Sequence, residues 1–447
     1  MELKPSHISQ GRQFINDYGM IFVLLFLMLI LSAVTIDQQR LVGAAAGREV
    51  AEKINRNDSV QHILIASPQG KLDIEFAQSI KASLNQKHEV VATVQGGPRE
   101  VNLALADAEQ NGKEINLIAC TAASSKWGPV EASQAAKIRP ASYRWPNFLM
   151  PDNLVTIAQR ITVIAIIAIG MTMVIITAGI DLSVGSLIAL SAVITGVMIR
   201  DVFSGTETGV LGLWCGSLAG IAACALVGLF TGFLIAAFRL PPFIVTLAMM
   251  LLIRGIANVL SDQRTIHEIP VSFDLLGKGY LLGIPISVWL MFGLYGLAYF
   301  IMSRTTLGRQ IYAVGGNEEA ARLSGVRVKR VVLIVYTVCG LLAGLGGVIV
   351  CSQLRSAKAS YGMMDELTVI AAVVVGGTSL MGGQGKILGT LIGAFIIGVI
   401  QNGMNLIHMD DKTQMIVLGS VIVLAVLLDR IKKGEVSWKE IRSVFNH

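Results

Sequence analysis

Charged residues are scarce in this chain of 447 amino acids: Asp, Glu, Lys and Arg make up 15% of it, against 53% hydrophobic and 6% aromatic residues. So little charge cannot cover a soluble surface over most of the length, and the chain reads as a polytopic membrane protein. Cysteine is equally sparse. Of the five, Cys215, Cys224, Cys339 and Cys351 fall in or at the ends of apolar runs, where they act as small packing residues, and Cys120 stands outside those runs without a partner. No disulfide framework or metal-ligand spacing follows. Catalytic signatures are missing too: there is no HExxH, no nucleophile elbow and no Cys/His cluster. A phosphate-cradling Walker A loop needs a first glycine and a Lys-Ser/Thr end. The nearest approach, Gly385-Lys386, is followed by Ile387 and has Leu380 where the first glycine belongs. The chain is therefore expected to be no enzyme and to hold no metal.

Long apolar runs are what it has in abundance. A spanning helix needs about 20 such residues, and ten candidates lie near 19–36, 157–178, 183–199, 210–237, 243–260, 285–302, 331–351, 367–381, 387–403 and 413–428. The third and eighth are short or interrupted. The 46 glycines suit closely packed membrane helices. Loop charge sets the orientation. Residues 303–330 hold Arg304, Arg309, Arg322, Arg327, Lys329 and Arg330 against Glu318 and Glu319, and the tail adds Arg430, Lys432, Lys433, Lys439 and Arg442. By contrast 201–209 has no basic residue, and 261–283 has Arg264 and Lys278 against Asp262, Glu268 and Asp274. Ten spans then alternate with both termini in the cytoplasm. The net charge of +6 is a topology signal, and no nucleic-acid partner is suggested. The first run is taken as an uncleaved anchor, because without it the chain would lose its cytoplasmic start.

Four segments follow: 1–36, a cytoplasmic start and first span; 37–146, an outward domain; 147–430, the transmembrane core; and 431–447, a cytoplasmic tail. Composition shifts sharply between Asp37 and Arg144. There Arg48 to Asn55 reads as a helical lead-in, 62–67 as a buried strand, and Leu72 to Lys87 as a helix with Ile74, Ala77, Ile80 and Leu84 on one face. A second strand at 89–94 ends at Gly96-Gly97-Pro98, a second helix runs from Arg99 to Gln110, and a third strand covers 115–120. This βαβαβ order predicts a small parallel sheet with right-handed crossovers.

Two stretches of the core carry helix-breaking chemistry. In GMTMVIITAGIDLSVGSLIALS (170–191), Gly179 can end one helix and Asp181 or Ser183 can cap the next. Such a break belongs either at membrane depth beside a polar pathway or at a cytoplasmic turn. The loop charges favour the turn, with a mechanical role in gating or ATPase contact, and with Asp181 a cap first and a substrate ligand second. Gly376-Gly377-Thr378-Ser379 repeats the punctuation after a similar apolar run, as two parallel halves around a central path would. The gating set is thus Gly179, Asp181, Ser183, Gly185, Gly376 and Gly377. Gly212, Gly216, Gly220, Gly228 and Gly232, with Cys224, put a small residue at every fourth position of the fourth run, which suits a close helix crossing. Arg254 costs about 2.5–3.5 kcal/mol inside a bilayer, and Asn258 lies one turn on. Two readings stand: a polar lining for an outward cavity, or an arginine bonded to backbone carbonyls or snorkelling outward. Gln353 and Arg355 sit near the same mouth.

The stretch 170–191, together with TLAMMLLIRGIAN (246–258), GGNEEAARLSG (315–325), AAVVVGGTSLMGGQGKILGTLIGA (371–394) and QNGMNLI (401–407), resembles the ribose-type monosaccharide permeases of bacterial ABC importers, in the branched-chain amino acid/ribose permease family. The match is collinear through 147–430 and takes in the first span. Only 37–146 lies outside it, where the family has a short outward loop. The resemblance implies an α-helical polytopic membrane protein of about ten transmembrane helices with a small α/β periplasmic insertion. It implies an inner-membrane subunit that passes ribose or a related sugar delivered by a periplasmic sugar-binding protein. It also implies a cytoplasmic ABC ATPase subunit that binds the ATP and magnesium, a second copy of the chain, and surrounding membrane lipids.

LGRQIYAVGGNEEAARLSGV (307–326) resembles the segment by which such permeases engage their ATPase. Glu318 and Glu319 open it, Ala320 and Ala321 let a short helix sit flush in a groove, and Gly325 can end that helix. The same charge also suits an ordinary cytoplasmic loop. The 37–146 domain resembles part of one lobe of a sugar-binding protein. Lacking a second lobe, it reads as a docking or regulatory module, or else a passive insertion, and not as an independent sugar site. Three other readings stand beside this one. The same transporter class could carry a nucleoside or a sugar-like signal molecule. An ion-coupled transporter would bury carboxylates centrally, whereas Asp181, Asp365 and Glu366 fall near span ends. A membrane sensor would need a cytoplasmic output domain.

Overall fold

An apolar stretch without a helix breaker forms α1 (His7–Val34). Thr35 closes its last turn, with hydroxyl and amide both donating to the Leu31 carbonyl at 2.7 and 3.0 Å. The computed structural model describes residues 7–57 and 60–432; the basic residues Lys433, Lys439 and Arg442 lie outside the described residues. The chain divides into two units, one of residues 36–147 and one made from the residues on either side.

In the first unit β1 (Ile36–Arg40) pairs antiparallel with β6 (Ser142–Pro146). Between them run α2 (Gly43–Asn55), β2 (His62–Ser67), α3 (Lys71–Ser83), β3 (Glu89–Gln95), α4 (Pro98–Gln110), β4 (Leu117–Cys120), α5 (Gly128–Ala132) and β5 (Ala136–Ile138). The four inner strands form a parallel sheet in the order β3-β2-β4-β5. Alternation sends Ile63, Ile65, Leu117 and Ala119 to one face, against Val50 and Ile54 of α2 and Phe76 and Ile80 of α3. Leu64, Ala66, Ile118 and Cys120 face Val101 of α4 and Val130 of α5. Two details of α3 differ from the sequence reading. The buried face of α3 is Phe76-Ala77-Ile80, with Ile74 turned outward, because α2 packs so closely that a Cβ on Gly47 would strike the Phe76 carbonyl. Helix α3 stops at Ser83 because the Asn55 side chain donates to the Ser83 carbonyl at 2.9 Å and accepts from the Asn85 amide at 3.0 Å. Cys120 is buried inside the sheet.

The second unit continues with α6 (Pro151–Ile176), α7 (Val184–Val197, carried to Val202 by a π turn), α8 (Val210–Phe238), α9 (Pro242–Leu260), α10 (Asp274–Lys278), α11 (Ile286–Arg304), α12 (Thr306–Gly316), α13 (Glu318–Leu323), α14 (Val328–Leu354), α15 (Asp365–Val375), α16 (Ile387–Leu406) and α17 (Asp411–Lys432). Among the described residues seven helices are long and apolar enough to cross a membrane: α6, α7 with its π turn, α8, α9, α11, α14 and α16. The run at 367–381, expected to span, is instead the eleven-residue α15, only about 16 Å long against the roughly 30 Å of a bilayer core.

Helix α6 is the centre of the bundle, with 83% of its apolar stretch buried against 28% for α8 and α9. The small-residue stripe of α8 winds between two neighbours. A Cβ on Gly220 would meet the Ser191 carbonyl of α7 at 2.7 Å, and one on Gly232 the Leu333 Cα of α14 at 3.1 Å. Hydroxyls tie the helices where no water reaches: Ser191 donates to the Gly344 carbonyl at 2.6 Å, Tyr295 to the Ala165 carbonyl at 2.9 Å, and Thr172 and Thr390 meet at 2.7 Å.

Candidate functional site

The first break joins α6 to α7. After Ile176 the backbone turns through Ala178, which adopts the left-handed conformation at φ 60° where glycine was expected. Gly179 answers a different need: a Cβ there would lie 2.5 Å from the Tyr336 hydroxyl. Asp181 is 1% exposed, and its Oδ1 accepts from the Ser183 amide at 2.9 Å and the Ser183 hydroxyl at 2.6 Å. The capping expectation is corrected in detail. Asp181 closes the turn ahead of α7, and Ser183 serves it as a donor without capping the helix itself. Among the described residues the other carboxylate oxygen of Asp181 and the Tyr336 hydroxyl have no hydrogen-bond partner. A buried polar group is expensive in hydrocarbon, so this knot fixes one conformation of the turn. Gly185, one residue into α7, lets the start of α15 approach: a Cβ there would collide with the Glu366 carboxylate and the Gly362 carbonyl.

The second break lies between α15 and α16. Gly376 ends α15, and a Cβ there would meet the Gly389 carbonyl and the Thr390 Cα, each at 2.7 Å. Gly377, Gly382 and Gly383 take φ of +84°, +85° and +71°, a conformation that suits glycine alone at low cost. The Gly383 amide donates to the Ile176 carbonyl at 2.8 Å, so the second break satisfies the open end of the helix that the first break terminates. Sequence reasoning found Gly376 and Gly377 but passed over Gly382 and Gly383, whose doublet stood in the quoted motif. Tyr336 and Glu366 had no sequence signal beyond being polar in apolar surroundings.

Arg254 on α9 donates Nη1 to the Ala359 and Tyr361 carbonyls, at 2.6 Å each. It thereby holds the segment that feeds the half-length α15. Asn258 turns back to the Arg254 carbonyl at 2.9 Å. Thr156, Gln159, Arg160, Lys278, Tyr280 and Gln353 line a cavity of about 450 Å³, and neither Arg254 nor Asn258 is in that lining. Arg355 lies outside that lining, 3.6 Å from the Asp274 carboxylate.

The basic loop forms two short helices. Asn317 caps α13, its side-chain oxygen accepting from the Ala320 amide at 2.9 Å. Glu318 and Glu319 occupy the first turn, where the helix dipole favours anions. Ala321 is buried, and Gly325 beyond the helix takes φ +84°. Glu319 pairs with Arg322 at 2.5 Å, and this hydrogen bond holds its carboxyl below the usual range. Leu323, which the sequence reading did not single out, projects from the tip 79% exposed. Among the described residues no group of three or more His, Cys, Asp or Glu could hold a metal ion.

A bundle that interrupts its own helices at buried polar positions is built to let a solute through, which is the construction of a multi-pass membrane permease. In keeping with that class, residues 153–426 match the branched-chain amino acid transport system / permease component family, and the chain belongs to it. It is 46% identical over 292 residues to the ribose import permease protein RbsC of Escherichia coli K12, an overlap covering 64% of this chain and 88% of that one. The Bacillus subtilis ribose import permease protein is 43% identical over 291 residues, 65% of this chain and 88% of its own. The L-arabinose transport system permease protein AraH of Escherichia coli K12 is 37% identical over 288 residues, 64% and 85% of the two chains. No solved structure matches.

Proposed function

We propose that this chain is the membrane-spanning subunit of an ATP-driven ABC importer and that it passes a monosaccharide, ribose or a close relative, across the inner membrane. The identity of 46% to a ribose import permease across 88% of that protein carries the reading. Energy comes from a separate cytoplasmic ATPase subunit, which binds the ATP and magnesium. The exposed surface of α13, with Glu318, Glu319, Ala320 and Leu323 outward and Ala321 and Gly325 setting its seat, is the contact for that ATPase. A two-site ATPase needs two such contacts, so the permease works with a second copy of itself among the membrane lipids. The breaks at Gly179–Gly185 and Gly376–Gly377 form the gate, and Arg254 and Asn258 border the outward path. Both termini are cytoplasmic. The 37–146 domain faces the periplasm and docks the sugar-binding protein.

Reconstitution with an ABC ATPase and a ribose-binding protein in liposomes tests the reading. Ribose uptake should require ATP on the ATPase side and survive collapse of ion gradients; uptake driven by a gradient without the ATPase overturns it. Within that system, Glu319→Lys and Gly325→Leu should hydrolyse ATP without moving sugar. Normal uptake by both removes α13 as the contact.

A further inference from the structure

At its end, helix α12 is wedged against both breaks at once. A Cβ on Gly315 would run into the Ile176 carbonyl that ends α6, and would lie 2.7 Å from the Gly383 amide. Those two groups are bonded to each other at 2.8 Å. From the second break, a Cβ on Gly382 would lie 2.8 Å from the Gly315 carbonyl and 2.9 Å from the Ala178 Cβ, and one on Gly383 would lie 2.9 Å from the Gly316 Cα. On α12, three residues before Gly315, the Tyr312 hydroxyl donates to the Gly385 carbonyl at 2.7 Å. Three segments therefore meet with almost nothing but backbone between them. Side chains can rotate and absorb a displacement, but close-packed backbone passes it on.

We infer that this junction is a transmission joint in which Gly315 and Tyr312 are positioning residues. A displacement of α12 and α13 reaches the first break through Ile176 and Ala178, and the second through Gly382, Gly383 and Gly385, so both interrupted helices move as one gate. The Gly383–Ile176 bond makes the coupling obligatory, since neither break can shift along that line without the other. This inference rests on the proposed contact between α13 and the ATPase.

The test measures ATP hydrolysis and sugar uptake in the same proteoliposomes holding the complete importer. Gly315→Ala should lower the sugar moved per ATP about fivefold or more, and Tyr312→Phe, which keeps the ring and loses the bond to Gly385, about twofold. Hydrolysis stimulated by the binding protein should persist in both. Gly293→Ala, whose Cβ meets nothing within 4 Å, controls for replacing a bundle glycine and keeps the wild-type ratio. If Gly315→Ala fails to fold, Tyr312→Phe decides. A wild-type ratio in Tyr312→Phe, or hydrolysis and uptake falling in equal proportion, overturns the joint. Glu319→Lys and Gly325→Leu run alongside separate the two ideas. Uncoupling by either with a wild-type ratio in the joint variants leaves the ATPase contact standing and removes the joint; wild-type behaviour of both Glu319→Lys and Gly325→Leu removes the contact and the joint with it.

Discussion

Between Ile176 and Val184 the chain turns on a left-handed alanine and a buried carboxylate; between Val375 and Ile387 it turns on glycines at positive φ. Both turns must end one helix and start another inside an apolar bundle, where every open amide and carbonyl needs a partner. The first supplies a side chain to do it, and Asp181 gathers the Ser183 amide and hydroxyl onto one oxygen. The second removes side chains, so that α15 and α16 touch through Gly376, Gly389 and Gly393. The lesson is that the two turns are held differently: both have glycines that leave no room for a methyl group, but the first depends in addition on an acceptor, the Asp181 carboxylate.

That contrast can be broken experimentally, beginning with the second turn. Gly376→Ala should be the most damaging substitution, about 3 kcal/mol or more, because the new carbon faces backbone that cannot rotate away. Size-exclusion profiles and thermal melting in detergent would show it, and a wild-type melting curve would mean that α15 and α16 have slack. Asp181→Ala comes next, at about 2–3 kcal/mol, since it strands the Ser183 amide and hydroxyl. Asp181→Asn keeps the accepting oxygen and should cost less than about 1 kcal/mol. Equal damage from the two would show that the charge, and not the acceptor, holds the first turn. Arg254→Leu should cost about 2 kcal/mol by leaving the Ala359 and Tyr361 carbonyls unbonded, and should lower uptake through misplacement of α15. Gly377→Ala is the mildest of the glycine and arginine changes, about 1 kcal/mol of backbone strain, because the nearest atom to its Cβ is the Met20 sulfur at 3.7 Å.

Much of the helical part was legible because apolar runs and helices coincide: 210–237 against Val210–Phe238, 243–260 against Pro242–Leu260, 285–302 against Ile286–Arg304. The run at 367–381 misled because counting apolar residues is blind to a glycine turn, and Gly376-Gly377 ends the helix partway along it. In 36–147 the apolar runs of β2, β3 and β4 were readable, whereas β1, β5 and β6 have five residues or fewer and carry no such run. Of the site, residues with intrinsic backbone chemistry stood out in the sequence: Asp181, Gly376, Gly377 and Gly325. Residues whose importance comes from what they touch did not: Tyr312, Gly315, Tyr336 and Glu366 are ordinary until the fold brings distant segments against them.

The pairing of Ile36 with Pro146 has a consequence for how this chain can be edited. The residues just outside that pair, Thr35 and Phe148, are joined by a hydrogen bond of 3.1 Å from the Phe148 amide to the Thr35 hydroxyl. The 36–147 unit therefore leaves the rest of the chain and returns to it at almost the same point, like a detour with a shared on-ramp. A splice of a residue or two in place of 36–147 leaves the helix ends where they stand. Any other folded domain whose own termini lie side by side fits the same port, which makes it a natural place to graft a reporter, an affinity handle or a foreign receptor onto a working permease.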